Sequence, residues 1–203
     1  MVVVTSLDDL RSGKRLQGEA IAMRAIDGPA TIRNDDFDEV LYVLGEDKGI
    51  FLPRGQELGV DGTVIGVGVA QTGVSGLHQV RLEDAPIQKT GDRWYRELIR
   101  SEITQFVGSI PPGRAPDHFH LYEEVLCILK GSGFLWAGTS KTPIAPGSCV
   151  YLPKGQPHCV ENTTSGELRL LGIFYPAGSP AMRYPVHERA DRSPEEDELE
   201  RRD

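Results

Sequence analysis

Two short segments of the first half of the chain return, in the same order, in the second half. Residues 38–44, DEVLYVL, resemble residues 123–129, EEVLCIL, and residues 51–56, FLPRGQ, resemble residues 151–156, YLPKGQ. Chance similarity is a poor explanation, because both segments recur and their order is kept. The sequence therefore predicts that the chain consists of two halves with related folds.

The second copy is longer than the first copy between these two segments. The extra residues include 130–147, KGSGFLWAGTSKTPIAPG, in which glycine and proline flank apolar residues. This pattern is typical of a β-hairpin. A weaker similarity relates residues 64–73 to residues 170–179. We therefore interpret the first half as a trimmed relative of the second half, without the hairpin.

The apolar segments of both halves have the composition of β-strands. They are short, rich in Val, Ile, Leu and aromatic residues, and bounded by Gly, Pro or Asp. Several are apolar at every position, which is typical of strands buried on both faces. Helical periodicity is found only in residues 92–103, DRWYRELIRSEI, which we expect to form a helical linker between the halves. The predicted fold class is all-β.

The chain is expected to divide into three parts. Residues 1–91 form the degenerate half, residues 92–186 the intact half, and residues 187–203 a charged, flexible tail. The tail, HERADRSPEEDELERRD, is nearly free of apolar residues, so it cannot bury enough apolar surface to offset the entropy of folding.

Charge and cysteine content restrict the partners and the compartment. Binding to nucleic acid or to an anionic membrane surface needs a basic patch, so the net charge of −8 argues against both. No apolar run approaches the roughly 18 residues of a membrane-spanning helix, and the start lacks a signal-peptide pattern. The odd set Cys127, Cys149 and Cys159 lies in apolar segments, so we expect buried, reduced thiols in a cytoplasmic protein.

A group of metal-binding residue types precedes the apolar segment of the second half. In DHFHLYEEVLCILKG, His118 and His120 are one residue apart, and Glu123 and Glu124 follow. Alternate side chains of a strand point to the same face, and imidazole nitrogen is a good donor to divalent transition metals. A polar turn before a core strand explains the same residues. At this point either interpretation, and either glutamate, remains open.

The other histidines of the chain differ in context. His158, in PKGQPHCVEN, lies in the second repeated segment and is a further candidate ligand. His78 lies between the halves and His187 begins the tail, so we assign both a structural or surface role.

These segments resemble the two signature motifs of the cupin superfamily. The first motif is a glycine, a spacer, HxH, a glutamate and a glycine. Gly113 stands one position closer to His118 than is usual, three residues separate His120 from Glu124, and six separate Glu124 from Gly131. The second motif is matched at every position, by Gly147, Pro153, Gly155, His158 and Asn162.

The resemblance implies a fold and a metal site. The fold is a cupin double-stranded β-helix, a jelly-roll-like barrel, with a trimmed cupin-like N-terminal half. The metal is one divalent transition ion per chain. Its implied ligands are His118, His120, Glu124 and His158, and Asn162 is expected to be a structural hydrogen-bonding residue. Glu124 fits the spacing on both sides, whereas Glu123 fits neither.

The first half keeps little of this ligand set. Glu39 corresponds to Glu124, but Arg33 and Asp35 stand at the positions of His118 and His120, and Leu58 stands at that of His158. We therefore expect a metal-free first half in which Glu39 is an ordinary polar residue.

Cupins have many activities, so the resemblance implies several functions. Our first hypothesis is a dioxygenase-type oxidoreductase that acts on a small, metal-chelating organic substrate. Iron or manganese is the favoured ion, and nickel, cobalt, zinc and copper are alternatives. A second hypothesis is a non-redox isomerase or lyase, decarboxylase-like or epimerase-like, acting on a keto or hydroxy acid. A third is a non-catalytic protein that binds a small molecule or sugar and holds a structural metal.

Four residues are weaker candidates for roles around the metal. Tyr122 can place its hydroxyl near the site or face away from it, Gln105 and Trp136 can line a pocket, and Arg114 can meet an acidic substrate. A trimmed half also leaves sheet edges and apolar surface that another chain can cover, so we expect a homodimer.

Overall fold

The computed structural model describes residues 1–70 and 72–186, so the predicted tail, with His187, lies outside the described residues. The helical elements are α1 (Leu7–Arg11) and a 3-10 turn at Leu44–Glu46. The first nine strands are β1 (Val3–Ser6), β2 (Leu16–Gln17), β3 (Ile21–Asp27), β4 (Ala30–Arg33), β5 (Asp38–Val43), β6 (Lys48–Leu52), β7 (Glu57–Val60), β8 (Thr63–Val69) and β9 (His78–Arg81). The others are β10 (Gln88–Thr90), β11 (Arg93–Arg100), β12 (Thr104–Ile110), β13 (Gly113–Arg114), β14 (His118–Phe119), β15 (Glu123–Lys130), β16 (Gly133–Ala137), β17 (Ser140–Ile144), β18 (Ser148–Leu152), β19 (His158–Asn162), β20 (Leu168–Tyr175) and β21 (Tyr184–Pro185). The prediction of an all-β fold is confirmed.

The second half is built from two antiparallel sheets. The larger sheet has the strand order β1-β18-β15-β20-β12-β11-β10, and the smaller has the order β17-β16-β19-β14-β21, with β13 also paired to β19. Strand β1 comes from the start of the chain and pairs with β18, so the N-terminal residues extend the larger sheet.

The first half repeats the central strands of this arrangement. Its larger sheet has the order β2-β3-β8-β5-β6-β9, in which β3-β8-β5-β6 corresponds to β12-β20-β15-β18. The register agrees as well, because Leu41 pairs with Gly66 as Leu126 pairs with Gly172. The hairpin predicted at residues 130–147 is present as β16 and β17, whereas β5 passes to β6 through the 3-10 turn. The domain boundary near residue 91 stays a prediction.

The strands that are apolar at every position lie between two hydrophobic cores. In β15, Val125 and Cys127 pack in a core shared by both halves, while Leu126 and Ile128 pack inside the second half. Strand β5 is divided in the same way between the shared core and the interior of the first half. Burial of each large apolar side chain contributes about 1.5–3 kcal/mol, so strands buried on both faces hold the two halves together.

Residues 92–103 do not form the predicted helix. They form β11, which pairs with β12 and β10. A register shift between Glu97 and Ile99 places Leu98 and Ile99 in the same core, which interrupts the alternation of a regular strand. That interruption produced the helix-like spacing, and pairing with two neighbouring strands overrides it.

Glu39 differs from the expectation of an ordinary polar residue, because it is fully buried in an ion pair. Arg24 Nε and Nη2 donate to its two carboxylate oxygens at 2.7 and 2.6 Å, and Asn34 Nδ2 donates at 2.6 Å. Arg24 of β3 pairs with Gly66 of β8. Phe106 of β12 pairs with Gly172 of β20 in the same way, so Arg24 and Phe106 occupy equivalent positions. A guanidinium therefore neutralises the carboxylate that the first half retains.

The apolar faces expected to need a second chain are largely covered within this one. The large sheets of the two halves contribute side chains to one shared core. The argument for a homodimer from uncovered sheet faces therefore loses its basis, and the homodimer stays a prediction. Among the described residues, no helix is long and apolar enough to cross a membrane.

We expect the Glu39→Ala substitution to lower the free energy of unfolding by about 3 kcal/mol, because it leaves the Arg24 guanidinium half-buried without its carboxylate. The measurement is urea denaturation of the full chain. Replacing both residues, as Arg24→Met with Glu39→Leu, should recover most of the loss. Arg33→Ala, which removes only the exposed pair with Asp35, is the control. Equal stability of Glu39→Ala and the wild type would contradict the assignment.

Candidate metal centre

Four polar side chains converge between the two sheets of the second half. His118 in β14 and His158 in β19 are paired positions of the smaller sheet, and Glu124 is the second residue of β15 in the larger sheet. His120 lies in the loop between β14 and β15. Phe119, between the two histidines, packs on Tyr184 with a ring-centroid distance of 5.5 Å.

The geometry is that of a compact donor set. One ring nitrogen from each of His118, His120 and His158 lies within 4.8 Å of the others. Glu124 Oε2 is 3.3 Å from His158 Nε2 and 3.7 Å from His120 Nε2. His120, Glu124 and His158 are buried and His118 is half-buried, so His118 is the side from which solvent reaches the site.

Backbone carbonyl groups orient two of the imidazoles. His118 Nδ1 lies 3.1 Å from the Pro116 carbonyl oxygen, and His158 Nδ1 lies 2.9 Å from that of Gln156. An Nδ1–H that donates to a carbonyl leaves the lone pair on Nε2, the atom that faces the centre. The carbonyl group two positions earlier therefore orients each of these two imidazoles with Nε2 toward the centre.

The third imidazole is held by an aromatic neighbour and a turn. The ring of His120 stacks on Tyr122 with a centroid distance of 4.9 Å, and the Tyr122 hydroxyl donates to the Ser179 carbonyl at 3.1 Å. Gly155, with φ of +68°, donates its N–H to the His120 carbonyl at 2.7 Å. Burial, together with the Glu124 charge, raises the pKa of Tyr122, so its hydroxyl stays protonated. Tyr122 thus supports His120 and directs its hydroxyl away from the centre.

Burial controls the protonation of the imidazoles. It lowers the pKa of His118 to about 3 and that of His120 to about 2, and the neighbouring imidazoles add to the effect. Both rings are therefore neutral at pH 7. Burial acts in the same direction on His158, but the adjacent Glu124 carboxylate outweighs it and raises the pKa of His158.

One buried oxygen of this set has no conventional partner. Glu124 Oε2 forms no hydrogen bond of good geometry with the described residues, although it lies close to two imidazole nitrogens. A buried carboxylate oxygen without a donor is costly. A divalent transition ion would satisfy it together with the imidazoles, since mixed nitrogen and oxygen donors suit such ions. The residues present therefore fit the implied metal.

The adjacent Glu123 has a different task. Its carboxylate is fully buried and accepts the backbone N–H groups of Glu19 at 2.7 Å and Ala20 at 2.8 Å. The Tyr151 hydroxyl also donates to it, and burial with this carboxylate raises the pKa of Tyr151 to about 12. Glu123 thus ties the chain before β3 to the second half, on the face of β15 opposite Glu124.

Asn162 and the cysteines have structural positions. Asn162 is buried, donates from Nδ2 to the carbonyl groups of Ile110 at 2.9 Å and Gly166 at 2.7 Å, and accepts from Thr164.

The three cysteines are unbridged and buried, as the apolar segments around them indicated. His78 is exposed in β9.

Three of the weaker candidates lie away from the cavity beside the centre. Gln105 faces the first half and donates to the Leu41 carbonyl at 3.1 Å. Trp136 donates to Glu161 at 2.8 Å and packs under Arg114, whose guanidinium carbon is 4.2 Å from the ring. Arg114 also pairs with Asp117 at 3.0 Å. None of the three is among the described residues that line the cavity, and their roles toward a substrate stay predictions.

The cavity beside the centre has a volume of about 90 Å³. His118, His120, Glu124 and His158 form one part of its wall. The remainder is mostly apolar and aromatic: Trp94, Tyr95, Phe106, Ile110, Ala115, Leu126, Val160, Leu170, Phe174 and Pro180.

Thr90, Gly108, Ser109 and two arginines complete the lining, and sequence reasoning missed both arginines. Arg93 begins β11, which we predicted to be a linker helix, and Arg183 precedes β21, which carries no motif. Trp94 and Tyr95, of residue types enriched in strands, were the signal that could have placed Arg93 in the sheet. No comparable signal existed for Arg183.

Comparisons with known proteins agree with this architecture. Residues 106–174, about a third of the chain, match the Cupin domain family. An uncharacterized protein of Aquifex aeolicus (strain VF5) is 31% identical over 75 residues, which is 37% of this chain. The match spans 61% of that relative, less than two thirds of its length.

Two solved structures share the fold across most of the chain. One is salicylate 1,2-dioxygenase from Pseudoaminobacter salicylatoxidans, with a TM-score of 0.61, 10% identity, and coverage of 86% of this chain and 81% of that one. The other is the oxalate decarboxylase of Bacillus subtilis, with Mn(II) centres, at a TM-score of 0.63, 11% identity, and coverage of 98% and 81%. At such identities the likeness concerns the fold alone. The comparisons thus show a similarity to the Cupin domain family over residues 106–174 and a fold that the chain shares with these solved structures.

Substitution of the two adjacent glutamates should separate metal binding from stability. Glu124→Ala removes a proposed ligand, so we expect metal affinity to fall by at least about 100-fold, since even outer partners of a ligand are worth 10–100-fold. Glu123→Ala should keep its metal but lose about 3 kcal/mol of unfolding free energy, because three donors lose their acceptor. Metal analysis and urea denaturation of both variants check this. Loss of metal from Glu123→Ala alone would contradict the assignment.

Metal binding should release about one proton per ion at about pH 6, because His158 is the one imidazole of the three whose pKa is raised in the free site. His118 and His120, with pKa values of about 3 and 2, are already neutral there. Affinity should therefore fall as the pH drops through the raised pKa of His158. Calorimetric titration with Zn(II) in two buffers of different ionisation enthalpy counts the protons. Release of two or three would show that the other imidazoles are also protonated.

Proposed function

We propose that this chain is a metal-dependent cupin enzyme, a dioxygenase-type oxidoreductase acting on a small organic substrate that chelates the metal. His118, His120, Glu124 and His158 are the proposed ligands, and iron or manganese is the proposed ion. The observation that carries the proposal is the cavity beside these donors. A metal with a purely structural role needs no such space next to it.

The proposed metal would supply open coordination positions and, as iron or manganese, one-electron chemistry for the activation of dioxygen. The protein residues supply the surroundings. The carbonyl groups of Pro116 and Gln156 orient two imidazoles so that Nε2 of each faces the proposed metal. The apolar wall, including Phe106 and Phe174 with ring centroids 4.8 Å apart, limits the access of water to a bound substrate.

The composition of the cavity wall favours redox chemistry over proton transfer. Isomerases and epimerases need a general acid or base within reach of the substrate. Apart from the four proposed ligands, the lining residues within the described part of the chain include no Asp, Glu, Lys or His. The Tyr95 hydroxyl donates to Gln88 at 2.9 Å and so is already engaged. A reaction centred on the metal therefore suits the site better than a non-redox isomerase or lyase.

The test is oxygen consumption by the Fe(II)-loaded protein with a panel of small chelating organic acids and phenols. We expect uptake that depends on substrate and falls by at least about 100-fold in His158→Ala, which lacks a proposed ligand. His78→Ala, at an exposed histidine of β9, is the matched control and should keep full activity.

Two outcomes would overturn the dioxygenase proposal. Turnover that persists without oxygen, or with Zn(II) in place of Fe(II), would indicate the isomerase or lyase alternative. Ligand binding without turnover under any of these conditions would indicate a non-catalytic binding protein.

A further inference from the structure

Two positively charged side chains at the cavity have no ion-pair partner in the described part of the chain. Arg93 and Arg183 are half-buried, and both line the cavity next to the proposed metal ligands. No carboxylate oxygen of the described residues lies at ion-pair distance from either guanidinium, and neither forms a hydrogen bond to a described acceptor. Arg114, which lies outside the cavity, is by contrast paired with Asp117.

The two arginines are fixed from opposite sheets. Arg93 begins β11, which the larger sheet holds through β10 and β12. Arg183 directly precedes β21, which pairs with β14, so that His118 lies opposite Pro185. Strand pairing therefore places the backbone of both residues at the cavity, and both side chains line it.

Keeping two like charges close together and partly buried is unfavourable unless an anion joins them. Burial lowers the pKa of Arg93 and that of Arg183, and the exposed carboxylate of Asp92 acts on both in the opposite direction. The charge of each arginine in turn lowers the pKa of His118. A guanidinium nevertheless remains protonated in proteins. The cavity is thus a local positive region in a chain whose net charge is −8, and local potential of this kind attracts anions.

We propose that the substrate of this site is a small carboxylic acid whose carboxylate binds Arg93 and Arg183 while its apolar remainder contacts the cavity wall. The guanidinium fork matches the planar carboxylate and can donate two parallel hydrogen bonds to it. A phosphate or sulfate presents oxygens on all sides, and the largely apolar wall cannot satisfy them. This inference rests on the proposed function, because it concerns the substrate of the same metal site.

The test measures binding, not turnover, by calorimetry on the full chain. The probes are acetate, butyrate and benzoate, each compared with its neutral amide of nearly the same shape, and inorganic phosphate. They are titrated into metal-free and Mn(II)-loaded protein. We expect the best acid to bind at least about tenfold more tightly than its amide in both states, which is the effect of one charge-assisted hydrogen bond.

Substitutions assign the preference to the two arginines. Arg93→Gln and Arg183→Gln should each weaken acid binding by about tenfold or more and leave amide binding unchanged. Arg93→Lys and Arg183→Lys keep the charge without the fork, and should retain part of the preference, which guards against a loss caused by misfolding. Arg114→Gln is the matched control, because Arg114 lies outside the cavity and should keep wild-type affinities.

Several results would overturn the inference. It fails if no acid binds better than its amide, if phosphate binds more tightly than every acid, or if the Gln variants keep the full preference. A preference that occurs only with Mn(II) and survives both Gln substitutions would assign the carboxylate to the metal. Oxygen consumption is not involved, so a protein that prefers acids but never consumes oxygen would contradict the proposed function and leave this inference standing.

Discussion

The packing of the two large sheets against each other is the constraint on which the rest of the structure depends. It requires strands such as β5 and β15 to be apolar on both faces, since one face lies in the shared core and the other inside its own half. Polar groups on these strands are then confined to their ends, where Glu39 and Glu124 stand. A carboxylate at such a position is buried and needs a positive partner. The location of the candidate metal centre follows from the packing of the sheets.

The two halves meet this need in different ways. In the first half, the guanidinium of Arg24 reaches Glu39 from β3 and donates to both of its carboxylate oxygens. In the second half, the equivalent position of β12 is Phe106, which carries no charge and leaves a cavity beside Glu124. There the proposed partner of the carboxylate is a metal held with three imidazoles. The trimmed half thus has a stabilising ion pair where the intact half has a site open to a small molecule.

Much of the fold could be predicted from the sequence, because the repeat and the apolar segments are local patterns. The motif spacing also named the four side chains that the structure brings together, and it separated Glu124 from Glu123. Contacts between distant segments could not be read in this way. The bulge in β11 disguised a strand as a helix, and it concealed Arg93. Arg183 reaches the cavity only because β21 pairs with β14, and the burial of Glu39 depends on an arginine fifteen residues earlier.

The central claim is that a single metal is held by His118, His120, Glu124 and His158, while Arg24 takes its place in the first half. Anomalous X-ray diffraction at the absorption edge of the bound metal, on crystals of the full chain, tests this claim most directly. The account predicts one anomalous peak per chain, in contact with those four side chains, and none beside Glu39. A peak at Glu39, or a peak elsewhere with the four side chains unoccupied, would contradict it.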